Sequence, residues 1–347
     1  MSPVLRNETA APVGAEDARQ GGQPAAQGEQ IHALLADAAA HYRDALRASP
    51  QAVRYLASRG IGGAIAARFG LGFARPKWRD LGPVLERHSE EAAQACGLLA
   101  GSGEGDDASR FDRFRDRVMF PIRNRAGQVA GFGGRVIDGR EDPKYLNSPE
   151  GVTFKKRELL YGLYEAQEAI QAQGVAVVVE GYLDVVSAAQ AGFLPVVGTL
   201  GTACSSGQIA ELMTLTRRIV FCFDGDAAGR RAAARALEIV VPFIDQGCAF
   251  DFVFLPEGED PDSFVRVHGL EGFQTALNGA TPVQAFVIEH VSADCDMQYA
   301  EGRSLCAHRA KPLWLAMPEG PVRAALLDYC AKLLKFTEAE LLDLWRA

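Results

Sequence analysis

Apolar positions recur at helical spacing from residue 31, where Ile31, Leu34, Leu35, Ala38, Tyr42 and Leu46 fall three and four apart. Ser49 and Pro50 read as an N-cap and first helical position, and Gly60 as a stop. A small helical region is predicted over about 30–70. Residues 1–29 are rich in Ala, Gly, Gln and Pro with little periodic hydrophobicity, which predicts disorder. Gly101–Ser109 is a polar stretch that predicts a loop. Val118–Ile122 and Gln128–Ile137 predict strands joined by a turn at Asn124–Gly127, and Asp142–Gly151, with two prolines, reads as loop.

From about residue 160 the rhythm changes. The pattern predicts a helix over 163–172, a strand over 175–180, a helix over 183–191 and a short strand at Val196–Val197. A helix from about 206, a strand over 218–223, a long helix over 227–245 and the strand Phe250–Leu255 follow. Strands alternating with helices argue for βαβ units and a parallel sheet. Beyond 282 the pattern is helical, with breaks near Pro318–Pro321 and Thr337. The expected fold class is therefore α/β: a Rossmann-like parallel sheet flanked by an α+β N-terminal subdomain and a C-terminal helical subdomain. The expected boundaries are a disordered segment 1–29, an N-terminal subdomain 30–157, the sheet over 158–270 and a helical subdomain 271–347. A chain of 347 residues is too long for one typical core, in keeping with this division.

Composition narrows the classes. No apolar run reaches the length of a membrane span, and the N-terminus lacks the basic-then-apolar order of a secretory signal, so a cytoplasmic location is expected. None of the seven cysteines forms a C-x-x-C pair, so no zinc is expected in this chain. Cys222 lies within an apolar run, as free thiols in a reducing compartment do. The chain carries a net charge of -8, yet Arg110–Arg157 holds 12 Lys/Arg against 6 Asp/Glu. One basic segment on an acidic protein suggests a directed polyanion contact; a solvated, salt-bridged surface is the alternative.

Three strand-like runs end in acids. Val177–Val179 leads into Glu180-Gly-Tyr-Leu-Asp184, Ile219–Phe223 into Asp224-Gly-Asp226, and Phe252–Leu255 is followed by Glu259-Asp260-Pro-Asp262. In an open α/β sheet, ligands bind beyond the carboxyl ends of the strands. Six acids (Glu180, Asp184, Asp224, Asp226, Asp260 and Asp262) around one crevice are costly without cations, and hard divalent ions prefer oxygen ligands. That combination reads as a Mg²⁺ or Mn²⁺ site for phosphoryl chemistry. Taken singly, a D-G-D is a turn or cap, and an Asp after a strand is often the N-cap of the next helix. No G-x-G-x-x-G opens a helix and no Walker A sequence is present, which argues against a nicotinamide enzyme and a helicase motor.

E-G-Y-L-D after one strand and F-D-G-D-x-A-G after another resemble the TOPRIM module of primases, topoisomerases and some nucleases. In order, Tyr55–Phe73, Arg113–Ile122 (RFRDRVMFPI), Gly131–Val136 (GFGGRV), Pro143–Pro149 (PKYLNSP), Leu160–Gln167 (LYGLYEAQ), Gly198–Ala203 (GTLGTA) and Glu259–Ser263 (EDPDS) resemble the RNA polymerase domain of DnaG-type bacterial DNA primases. The resemblance covers about 30–347. It implies a DNA-templated RNA polymerase that starts chains without a primer, by two-metal nucleotidyl transfer. By that similarity the six acids form the metal site, with Glu180, Asp224 and Asp226 catalytic and Glu180 closest to the chemistry. Arg135, Lys144 and Asn147 would hold the incoming ribonucleoside triphosphate, and Arg113, Arg115, Arg117 and Lys156 would track the single-stranded DNA template. Mg²⁺ is the implied cofactor, with Mn²⁺ able to substitute, and a replicative helicase the implied partner.

Departures from the family pattern set further expectations. The first 30 residues hold no Cys and no His, so the family's zinc-ribbon domain is expected to be absent. The chain ends at Ala347, where the polymerase domain's helical tail should end, so the helicase-docking domain is expected to be absent as well. Glu158 stands where a basic residue is expected, and Asp112 and Asp116 alternate with the arginines, as on a charged strand edge. The competing readings are a TOPRIM nuclease, which needs no triphosphate clamp, and a catalytically weak binding fragment.

Overall fold

The computed structural model describes residues 22–102, 109–137, 143–201 and 203–346. The expected disorder over 1–21 and most of the polar loop at 103–108 lie outside the described residues.

The N-terminal unit opens with helix α1 (Gly22–Arg47), which begins well before residue 30. The segment from Gln23 to Gln30 is low in hydrophobicity, but Ala, Gln and Glu are good helix formers, so polarity there does not mean disorder. Helices α2 (Pro50–Ser58) and α3 (Gly63–Arg68), strand β1 (Gly72–Ala74), and short helices α4 (Gly82–Leu85) and α5 (Glu90–Ala95) follow. Ser49 caps α2, accepting from the Ala52 N–H. The hairpin β2 (Leu99–Ser102) and β3 (Ser109–Asp112) stands apart from the antiparallel sheet β1-β4-β5-β6, formed with β4 (Arg117–Arg123), β5 (Val129–Val136) and β6 (Tyr145–Asn147). Strand β6 occupies a stretch read as loop. Its three residues are too few for periodicity to register, and only pairing with β5 makes them extended.

The second unit alternates as the sequence predicts: α6 (Leu163–Gln173), β7 (Ala176–Val179), α7 (Tyr182–Gln190), β8 (Val196–Gly198), α8 (Ser206–Met213), β9 (Arg218–Phe223), α9 (Ala227–Val240) and β10 (Ala249–Phe254). Helix α10 (Pro261–Asn278) comes next and was not foreseen; Gly269, at φ +64, kinks it and blurs its period. The short strand β11 (Thr281–Pro282) closes the sheet in the order β11-β10-β9-β7-β8, all parallel except β11. The sheet therefore extends past residue 271, and that expected boundary falls inside α10.

Both faces of this sheet are covered, which is why its strands read as unbroken apolar runs. Val178, Phe221 and Phe223 face α9, while Val177, Val179, Val220 and Cys222 face α7, α10 and the N-terminal unit. Helices α11 (Val283–Ser292), α12 (Ala300–Ala316), α13 (Pro321–Leu334) and α14 (Glu338–Arg346) pack on the α9 face through Phe286, Val287, Leu313 and Trp345. No helix among the described residues is long and apolar enough to cross a membrane.

Candidate active site

The alternation along β7 and β9 aims their terminal acids in different directions. Glu180 continues the row of Val178, and Asp224 that of Cys222. Both line a cleft of about 350 Å³ at the carboxyl ends of the strands, together with Asp184, Asp260 and Asp262. Glu180 also borders a smaller cavity of about 160 Å³ on the α9 side, where Arg235 stands. Asp226 does not line the cleft; it caps α9, accepting from the Gly229 N–H at 2.8 Å. Asp260 caps α10 through the Ser263 N–H at 2.7 Å.

The expected six-acid cluster is thus not one coordination sphere. Among the described residues no three His, Cys, Asp or Glu side chains converge into a ready-made cation cage. Asp184 is 8% exposed, and its two carboxylate oxygens accept the N–H groups of Gly181 (2.8 Å) and Asp262 (3.2 Å). Asp262 is 2% exposed and paired with Arg59 and Arg266. Among the described residues, Glu180 and Asp224 carry no protein hydrogen bond on their carboxylates. Burial first, and Asp224 second, raise the Glu180 carboxyl above its usual range. Burial, then Asp260 and Asp226, push Asp224 up to about 6. Burial, then Asp260 and Asp224, push Asp184 up to about 7.

Glycines make this packing possible. A Cβ on Gly225 would lie 2.0 Å from the Pro256 carbonyl oxygen, so the turn after β9 can press against the loop after β10. The Gly225 N–H donates across that contact to the Glu259 carbonyl at 3.1 Å.

The opposite wall of the cleft comes from β5 and β6. Arg135, Lys144, Tyr145 and Asn147 line it, so the expected triphosphate-holding residues meet the acids in one cavity. Arg135 is buried, donates from Nη1 to the Tyr145 hydroxyl and has a buried Nε with no partner among the described residues. Lys144 is exposed. Asn147 donates to the Leu200 carbonyl (3.0 Å) and accepts from the Tyr182 hydroxyl (2.6 Å). Gly133 leaves room for that tyrosine, since a Cβ there would come within 2.5 Å of its ring.

Comparison with known proteins places this arrangement. Residues 41–167 match the family described as DNA primase catalytic core, N-terminal domain, and residues 177–265 the Toprim-like family. A crystal structure of a DNA primase domain from Pseudomonas aeruginosa is 41% identical, superposes with a TM-score of 0.85, and covers 91% of this chain and 100% of its own. The chain belongs to the DnaG-type DNA primase family. The structure of a DnaG primase catalytic domain bound to ssDNA is 37% identical with a TM-score of 0.83, covering 91% of this chain and 99% of its own. The DNA primase of Pseudomonas aeruginosa is 45% identical over 299 residues, 84% of this chain and 45% of that protein. The chain spans about half the length of the curated primases it matches.

One expectation about this primase family is overturned. Residues 284–339 match the family described as DnaB-helicase binding domain of primase, so the expectation that no helicase-docking segment is present fails. Periodicity reads this stretch only as helical; the resemblance led to its reading as the polymerase domain's tail.

The basic residues of this primase core fall in different surroundings. Arg117 is corrected: it is 3% exposed and its Nη1 donates to the Pro143 carbonyl at 2.8 Å, so it holds the β4–β6 framework and presents no charge to a template. Arg113 is half-buried, with Nη2 3.2 Å from the Asn147 carbonyl, and burial lowers its pKa. Arg115 stacks on Trp78 at 4.3 Å, and Trp78 is 64% exposed. Lys156 is half-buried in the connection after β6, its main chain bonded to Glu150 and Gln208, and it does not line the cleft. Arg59, Tyr145 and Tyr182 line the cleft without having been singled out as site residues. Arg59 ends a helix over a hundred residues from the acids, and no local signal marks it.

Proposed function

We propose that the chain is the RNA polymerase core of a bacterial replicative primase, joining ribonucleotides into short primers on single-stranded DNA. The observation that carries this reading is the one cleft in which Glu180 and Asp224, without hydrogen bonds on their carboxylates among the described residues, share a lining with Arg135, Lys144 and Asn147. Primer synthesis needs a 3′-hydroxyl to attack an α-phosphorus with loss of pyrophosphate, which is mostly a matter of positioning and charge. Arg135 and Lys144 bring positive charge to a triphosphate, and Asn147, held from both ends, supplies a fixed wall beside it.

The donor set fits Mg²⁺ or Mn²⁺. Mg²⁺ is usually held by one or two carboxylates plus substrate phosphates and water rather than by an all-protein cage. Glu180 and Asp224 would hold it, with Asp260 lining the same cleft. When bound there, the ion supplies Lewis-acid stabilisation of phosphate charge and a lowered pKa for the attacking hydroxyl. Burial first, and the neighbouring carboxylates second, raise the Glu180 and Asp224 carboxyls, a charge cost that a bound cation would offset.

On this reading Arg113, Arg115 and Lys156 meet the template backbone, where contacts need no base identity. Helices α11–α13 are the natural place for a helicase contact. The work of such a core belongs in the cytoplasm. A TOPRIM nuclease would leave the β5–β6 wall without a purpose.

The test is labelled ribonucleotide incorporation on a single-stranded DNA template carrying an annealed RNA primer. Extension by wild type that Asp224→Asn reduces at least a hundredfold supports the reading. Absence of extension by wild type with Mg²⁺ and with Mn²⁺ would refute it.

A further inference from the structure

The Asp262 carboxylate is saturated by protein. Its Oδ1 accepts from Ser187 Oγ at 2.6 Å and Arg266 Nε at 3.1 Å. Its Oδ2 accepts from Arg59 Nη1 at 3.1 Å and Arg266 Nη2 at 3.3 Å. Four donors fill the roughly four lone-pair positions of a carboxylate, leaving none for a cation. Two guanidinium groups also neutralise its charge, so an approaching divalent ion gains little attraction from it.

Each partner belongs to a different element. Ser187 is on α7, Arg266 on α10, and Arg59 ends α2 in the N-terminal unit. The neighbouring Gly62 N–H donates to Gln190 Oε1 at 2.8 Å, so the α2–α3 turn is tied to α7 through Gln190 and to α10 through Asp262. The main-chain N–H of Asp262 donates to Asp184 Oδ1, whose other oxygen takes the Gly181 N–H. Gly181 follows Glu180 directly. An unbroken chain of contacts therefore runs from Arg59, on the cleft wall, to the turn that presents Glu180.

We propose that Asp262 is a positioning residue and not a cation ligand: its side chain anchors Arg59 at the cleft, and its N–H fixes Asp184 beneath the Glu180 turn. The cationic wall of the nucleotide site thereby includes Arg59, from a unit distinct from the parallel sheet. This rests on reading Glu180 and Asp224 as the cation-holding carboxylates.

Direct Mn²⁺ titration, followed by the loss of the free-ion electron paramagnetic resonance signal, separates the roles. Asp224→Asn should weaken Mn²⁺ binding at least tenfold; if it does not, the reading of the cleft fails independently of Asp262. Asp262→Asn should leave the Mn²⁺ dissociation constant within about twofold of wild type while raising the ribonucleotide KM about tenfold, with a smaller effect on kcat. Ser187→Ala, which removes one bond and no charge, should raise KM about threefold with Mn²⁺ binding unchanged, and it serves if Asp262→Asn does not fold. A tenfold weaker Mn²⁺ affinity in Asp262→Asn, or in its absence an unchanged KM in Ser187→Ala, would overturn the proposal. So would an Asp262→Asn variant with wild-type KM.

Discussion

The Tyr182 hydroxyl donates to Asn147 Oδ1 at 2.6 Å, tying the first residue of α7 to the last residue of β6. The Tyr182 ring is fixed independently, stacked on Phe120 at 5.2 Å and edge-on to Tyr161 at 4.9 Å. The hydroxyl is therefore the separable part of this contact. Tyr182→Phe should keep the fold and lose about 1 kcal/mol of positioning at Asn147. The expected result is a ribonucleotide KM raised about fivefold with kcat nearly unchanged, read from steady-state extension.

Gly225→Ala tests the close approach of the two acidic turns. The added methyl would meet the Pro256 carbonyl oxygen at 2.0 Å, and backbone on both sides limits relief. Overpacking of this kind costs about 1–3 kcal/mol. Urea unfolding should show that loss, and extension should fall at least a hundredfold because Asp224 moves with its turn.

Arg115 and Arg117 should separate cleanly. Arg117→Ala removes a buried guanidinium from the carbonyls that orient the segment before β6, and should cost about 2–3 kcal/mol in urea unfolding. Arg115→Ala, at a site beside exposed Trp78, should leave stability within about 1 kcal/mol. It should weaken single-stranded DNA binding and lower the salt slope by about one, measured by fluorescence anisotropy across a salt series.

Asp112 gives the chain a pH signature away from the cleft. Its Oδ2 accepts the Leu81 N–H at 2.9 Å, its Oδ1 is buried with no hydrogen-bond partner among the described residues, and burial pushes its carboxyl up to about 6 from 3.8. The folded state therefore holds this proton more tightly than the unfolded chain. The stabilising contribution is full below about pH 4 and is lost as pH rises through about 6. Asp112→Asn should lower stability at pH 4 relative to pH 7 by about 2 kcal/mol compared with wild type in urea titrations. An unchanged pH slope would contradict the assignment.

What could be read from the sequence tracks how local each signal is. The β7–β10 series was legible because both faces of the sheet are covered, so its strands are apolar runs, and those of β7, β9 and β10 lead into acids. Strand β6 and helix α10 were not. The first exists only through pairing with β5, and Gly269 breaks the period of the second. Among site residues, the P-K-Y-L-N segment, read as loop, was tied to the site only by the family resemblance, while the acids follow strand-like runs and could be placed in one crevice. Their division of labour could not. Asp184, Asp224 and Asp262 look alike in a string of letters, yet among the described residues Asp224 has no hydrogen bond on its carboxylate, Asp184 accepts two main-chain N–H groups, and Asp262 is filled by hydroxyl and guanidinium donors from three elements. Arg117 misled for the same reason, since alternation with acids suggests a surface while its nearest carbonyl partner, that of Pro143, lies 26 residues away.

The central claim is template-directed ribonucleotide addition at the Glu180–Asp224 cleft. Its most direct test is mass spectrometry of an RNA primer annealed to DNA templates that differ in one base beyond the primer end. Addition of the complementary ribonucleotide in each case, lost in Glu180→Gln, is the predicted result. Shortened template strands with no primer extension would contradict it.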